Sequence, residues 1–276
     1  MPDLGSRWLW VASLLLALPL VGQQSDPGPG LLQKSVAAQM GSTPATDVTM
    51  TGTVTVNDGT KTESGAITLV ATAAGQSEIV VTLPSGTSTQ TRDYSATPRT
   101  GTNQGPGGTA VAEFAENLLG PHPAWFYPAF VASGAASTGY RTEFRGNVTK
   151  SGSGANHVAV WPAQAVLLSS GHPSFPLSPA PAAAPEYLGQ QELYLDATSG
   201  LPVALEFRVH GYQQGHPDKP ASGPSSFLLS EARFSDYQQV QGRPVATHLQ
   251  LYVAKIPALD IHISSVSFNQ GARIGH

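Results

Sequence analysis

The chain has 276 residues, no cysteine and a formal net charge of −4. Charged residues make up 12%, about half of the roughly 25% usual in soluble proteins. With no Lys/Arg cluster to meet phosphates, this excludes a nucleic-acid interface and a polybasic membrane patch. The absence of cysteine excludes disulfides and lipoprotein-type lipid attachment, and the roughly 250 residues after a leader can bury one core without staples.

In chain order, residues 1–22 read as a secretory signal. Arg7 is its basic start, Trp8 to Val21 its apolar stretch, and Gly22 a small residue suited to cleavage, although Leu20 fits poorly two positions earlier. The apolar run is short for a membrane span, so no span is expected once the signal is removed. Residues 23–30 form a Pro/Gly linker. LLQKSVAAQM, from Leu31 to Met40, has helical spacing through Leu32, Val36 and Met40, and Gly41 is a natural stop.

Strands follow. In Thr46 to Asn57, Val48, Met50, Val54 and Val56 share one parity with Gly52, and Thr49, Thr51, Thr53 and Thr55 hold the other. Ile67, Leu69 and Ala71 continue the pattern, as do Ile79, Val81 and Leu83, with turns at Asn57-Asp58-Gly59, Ala73-Ala74-Gly75 and Pro84-Ser85-Gly86. Thr87 to Tyr94 is a polar edge strand or hairpin arm, and the stretch near 95–108 is a Gly/Pro/Thr insert loop. TAVAEFAENLL, from Thr109 to Leu119, spaces Val111, Phe114, Ala115, Leu118 and Leu119 as a helical stripe, with Thr109 as cap and Gly120 as stop. PHPAWFYPAFV then suggests a second short helix from Pro123. Tyr140 to Thr149 and His157 to Trp161 read as strands, and a Pro/Ala/Ser insert loop covers 169–185. Glu192 to Asp196 and Val203 to His210 flank the hairpin turn ATSGLP. Phe227 to Tyr237, Val245 to Ala254 and Leu259 to Phe268 complete the set.

Period-two alternation throughout means an antiparallel sheet with one dry face, and the absence of apolar strands alternating with helices excludes a doubly wound fold. The expected fold is mainly β within the α+β class: a curved antiparallel sheet, or incomplete barrel, with covering helices. A sandwich of two sheets is the alternative.

The tail carries an ordered set of motifs: ELYLDATSGLPVALEF (Glu192–Phe207), ARFSDYQQVQGRPVATHLQLYV (Ala232–Val253) and LDIHISSVSFNQG (Leu259–Gly271). With the leading helix, the strand around Gly52 and the LPSG turn, this resembles the outer-membrane lipoprotein carrier superfamily, LolA/LolB-like, over Leu31–Asp93 and Tyr140–Gly271. The resemblance implies a single domain over 31–276 that forms an incomplete β-barrel closed by helices around an apolar cavity for acyl chains. The loop at 169–185 and the aromatic insert Trp125 to Phe130 depart from a compact carrier of that type.

No catalytic motif is present: no G-x-S-x-G, H-E-x-x-H, P-loop or G-x-G-x-x-G. Ser235-Asp236 reads as strand and turn. His122, His172 and His216 sit in Pro settings as solvent-facing turn residues too far apart for a metal site. His210 and His216 lie across a turn with Asp218, and His248 and His262 lie on the outward parity of their strands. Asn147 matches a glycosylation acceptor but falls in a strand. No cofactor, metal or catalytic residue is therefore expected. Phe114, Leu118, Trp125, Phe126, Tyr127 and Phe130 are the expected ligand contacts, because large apolar side chains beside a helix line pocket mouths. The function expected is that of an exported, periplasmic or extracellular, non-enzymatic carrier for a lipid or other apolar ligand, whose partners are lipid or lipoprotein acyl chains. The rival is a structural or interaction protein of the cell envelope with a filled core and a protein partner.

Overall fold

The computed structural model describes residues 26–41, 43–164, 189–210, 212–213, 216–220, 227–272 and 274. The expected signal, the insert loop at 169–185 and His172 lie outside them. The order of elements is α1 (Gly28–Met40), β1 (Asp47–Asn57), β2 (Thr62–Thr72), β3 (Gln76–Leu83), β4 (Gly86–Asp93), β5 (Thr100–Gln104), β6 (Val111–Ala112), a 3-10 turn (Ala115–Leu118) and α2 (Pro128–Ala135). Then come β7 (Tyr140–Lys150), β8 (Ser153–Pro162), β9 (Gln191–Asp196), β10 (Pro202–His210), β11 (Tyr212–Gln213), β12 (His216–Pro220), β13 (Phe227–Val240), β14 (Arg243–Val253) and β15 (Ile256–Phe268).

Thirteen strands form one curved, unclosed antiparallel sheet in the order β6-β5-β4-β3-β2-β1-β15-β14-β13-β10-β9-β8-β7. The described strands thus follow the incomplete-barrel expectation rather than the sandwich, with β11–β12 as a separate small hairpin. The dry face follows the parity of the sequence: Val48, Met50, Val54, Ile67, Leu69, Leu205, Leu249 and Ile261 are all 2% exposed or less. The register of β1 against β15 shifts between Thr51 and Gly52, and a Cβ at Gly52 would lie 2.0 Å from the His262 carbonyl oxygen. Only glycine allows that approach, and a bulge of this kind sharpens the bend of the sheet.

α1 lies against α2, β7, β8 and β14. It begins inside the expected linker because one Asp26 carboxylate oxygen accepts from both Gly28 N and Phe144 N, each at 2.9 Å. An otherwise orphaned helix donor is satisfied, and the helix start is fixed to β7. At its other end Arg243 Nε donates to Met40 O at 3.0 Å.

Three local expectations are corrected. β5 forms inside the expected 95–108 loop. Its TGTNQ sequence has no apolar period, but Thr91 and Thr102 share a hydroxyl hydrogen bond and Gln90 Nε2 donates to Asn103 Oδ1, both at 2.7 Å across the β4–β5 pair. The expected helix over Thr109–Leu119 is instead β6 followed by a 3-10 turn. Glu113 N donates to Gly101 O at 2.8 Å, and the Glu113 carboxylate collects Arg92, Asn103, Asn117 and Phe114 N. These sheet and side-chain partners outcompete helical bonds for the same backbone. The second helix begins at Pro128, five residues later than expected, because the residue before a proline is excluded from helical geometry: Tyr127 sits at φ −126°, ψ 82°.

Candidate ligand-binding site

The two edges of the sheet, β6 and β7, are consecutive in the chain. The segment between them, 113–139, therefore runs from one edge to the other and carries the 3-10 turn, the aromatic run and α2. It lays its apolar side chains against the concave face. Trp125, Phe126, Tyr127 and Phe130 are 6%, 1%, 2% and 1% exposed and belong to the same apolar cluster as Met50, Leu69 and Leu249. Tyr127 meets Phe130 edge-on at 4.8 Å between ring centroids, and Phe268 at 5.8 Å. Of the six expected contact residues these four come together. Leu118 is buried and Phe114 half-buried at the 3-10 turn, and neither joins that cluster.

Polar contacts hold the segment at both ends. Arg99, just before β5, donates to Leu118 O at 2.7 Å and Gly120 O at 3.0 Å, and to the Tyr140 hydroxyl at 3.0 Å. Tyr140 is the first residue of β7 and itself donates to Gly120 O at 2.7 Å. This clasp links the start of β5, next to one free edge, to β7 at the other through the backbone of the bridge. Tyr94 stacks under the Arg99 guanidinium at 4.4 Å and donates to Asn117 O at 3.1 Å. Burial pushes the Glu113 carboxyl up, but Arg92 and the amides of Asn117 and Asn103 outweigh it and hold the group below its ordinary value.

His122 is the main correction among the expected turn histidines. It is 6% exposed, donates from Nε2 to Thr72 O at 2.9 Å, and accepts Ala124 N at Nδ1 at 3.1 Å. Burial, only partly offset by the Thr72 carbonyl, lowers its pKa to about 4, so the ring is neutral at physiological pH. Two flanking prolines fix its position, and the PHP run was the signal available in the sequence. Arg99, Tyr140 and Glu113 carried no such signal, since each acts through partners distant in the chain.

Beside the bridge a cleft of about 370 Å³ opens between the end of α1, the β2–β3 turn and α2. Met40, Ala45, Ala74, His122, Phe130 and Ser133 are among its walls. That volume is within the range of small-molecule sites. Elsewhere on the bridge, the Tyr127 hydroxyl is buried without a hydrogen-bond partner among the described residues, and burial pushes its pKa up.

The opposite face differs from a simple wet surface around β8, β9 and β10. Glu206, 2% exposed, pairs with Lys150 and accepts the Tyr194 hydroxyl at 3.0 Å. Burial raises the Glu206 pKa, with Lys150 opposing. Glu192, 3% exposed, meets His157 Nε2 at 2.7 Å.

No protein-family model matches the chain, and no curated protein matches it. Solved structures do. A domain from Vibrio parahaemolyticus named for outer membrane lipoprotein sorting aligns with TM-score 0.51 at 13% identity, over 89% of this chain and 94% of that one. A LolA superfamily protein from Nitrosomonas europaea aligns with TM-score 0.50 at 10% identity, over 88% and 94%. A DUF1329 family protein from Desulfovibrio piger aligns with TM-score 0.50 at 12% identity, over 90% and 96%. At these identities the likeness is one of fold, and the fold is that of LolA superfamily proteins.

Proposed function

We propose that this chain is an exported, non-enzymatic binding or carrier protein for an apolar ligand of the acyl-chain class, which enters the concave face beside or beneath the 113–139 bridge. The observation that carries this reading is the bridge itself. A non-sheet segment joins the two free edges, covers the apolar face, and borders a cleft large enough for a ligand. Burial of about 200 Å² of acyl surface would contribute on the order of 5 kcal/mol. The lipoprotein-sorting name of one neighbour and the expected signal at 1–22 agree with acyl cargo outside the cytoplasm.

Native mass spectrometry of protein taken from its own cells, with uptake of a fluorescent fatty acid, tests the proposal. Co-purified lipid mass or saturable uptake is expected, and Ser133→Trp should reduce uptake at least tenfold with unchanged folding, since Ser133 is exposed on α2 at the cleft. A ligand-free mass together with no uptake would reject it. That outcome would favour the second reading, an envelope interaction protein with a filled core, which the burial of Phe126 and Phe130 supports.

A further inference from the structure

Far from the concave site, three metal-type ligands converge on the convex face of the β14–β15 hairpin. His248 on β14 stands directly opposite His262 on β15, and Asp260 lies two residues before His262 on the same side of the strand. The imidazole rings are parallel within 6° at 4.4 Å. Asp260 Oδ1 is 2.8 Å from His248 Nε2 and 3.4 Å from His262 Nε2, and one donor atom from each residue lies within 4.8 Å of the others. The parity read from the sequence put both histidines outward as separate solvated residues. Cross-strand register, which a single strand's pattern does not reveal, brings them together.

We propose that His248, Asp260 and His262 bind a divalent transition-metal ion of the zinc–copper–nickel class. A metal with bonds of about 2.1 Å in tetrahedral geometry places its ligand atoms about 3.4 Å apart. The two His–Asp separations are 2.8 and 3.4 Å, so they require little change. The two imidazole tips must tilt toward each other out of their stack, which His262 is free to do with 64% of its side chain exposed. Two imidazoles and one carboxylate favour borderline ions over Mg²⁺ and Ca²⁺, which prefer all-oxygen sets. Ser235 Oγ lies 3.1 Å from His248 Nδ1. By accepting the Nδ1 proton it leaves Nε2 free for the ion, the outer-shell arrangement usual for a metal-bound histidine. With three protein ligands on an exposed sheet face, the remaining coordination position stays open to water or to a donor from another molecule.

Zn²⁺ titration of the EDTA-treated full chain by calorimetry, with the imidazole C–H signals followed by NMR, tests this. One tight Zn²⁺ per chain is expected, with the signals of His248 and His262 moving together. Asp260→Asn and His262→Ala should each weaken binding at least tenfold, and the His248→Ala/His262→Ala double variant should lose the tight site while keeping the circular dichroism of the parent. Excess Mg²⁺ should not compete. Zn²⁺ binding of equal affinity in the double variant, no binding at millimolar Zn²⁺, or displacement by Mg²⁺ would each overturn the assignment.

Discussion

The sheet and the bridge that spans its edges are built on different principles. From β1 to β3 and from β13 to β15, stability is spread over many alternating apolar residues, none of which decides the fold alone. The bridge has no such period. It combines a few large aromatic anchors with named polar contacts: Glu113 at its start, Arg99 and Tyr140 at the clasp, His122 against Thr72. Both regions are buried, since Trp125, Phe126, Tyr127 and Phe130 share one apolar cluster with Met50 and Leu69, but the bridge lacks the ladder of strand hydrogen bonds that ties each of these strands to two neighbours. Under the proposed function, that contrast makes the bridge, rather than the strands, the segment to test for movement on ligand binding.

The largest expected effect contrasts the two directly. Leu69→Ala, in a fully buried β2 position, should lower global unfolding free energy by about 2–5 kcal/mol in urea titrations. Phe130→Ala removes about 3–5 kcal/mol of packing, and amide exchange should accelerate more over 113–139 than in β1 and β2, which share its apolar cluster. Equal acceleration of both regions would erase the distinction.

Acid should act on the bridge next. The His122 pKa is about 4 in the folded protein against about 6.5 in the unfolded chain, so the unfolded chain binds the extra proton between those values. Stability from this group is full above pH 6.5 and is lost as pH falls toward 4, by about 3 kcal/mol. The difference between wild type and His122→Gln in stability-versus-pH curves should show that slope, and parallel curves would contradict it. Removing the clasp with Arg99→Met should cost about 1–3 kcal/mol, seen as faster exchange at residues 117–121 rather than as a lower global midpoint. The smallest effect is of opposite sign. Tyr127→Phe deletes an unpaired buried hydroxyl and should stabilise the ligand-free protein by about 1 kcal/mol in thermal or urea unfolding.

The same contrast explains what could be read from the sequence. Thr/Val alternation in β1, the Ile67–Leu69–Ala71 row and the ATSGLP turn specify strands and their dry face locally, so the curved sheet was legible. The aromatic run supplies four of the six expected ligand contacts, and those four, Trp125, Phe126, Tyr127 and Phe130, share one apolar cluster. Where partners lie far along the chain, local pattern misled. Glu113 falls inside the helix expected over Thr109–Leu119 yet is fixed by Arg92 and Gly101. TGTNQ has no apolar period yet pairs through threonine and amide side chains. His122 looks like a turn residue until Thr72 is placed beside it. The pairing of His248 with His262 depends on register between strands, and the partner of β1, at the far end of the sequence, depends on topology.

Hydrogen exchange over 113–139, measured with and without saturating fatty acid, tests most directly whether the bridge yields to an apolar ligand. Exchange in that segment should rise at least tenfold with ligand while the β13–β14 hairpin stays unchanged. Exchange that is identical with and without fatty acid would contradict the bridge as the moving part and leave it as a fixed plug in a filled core.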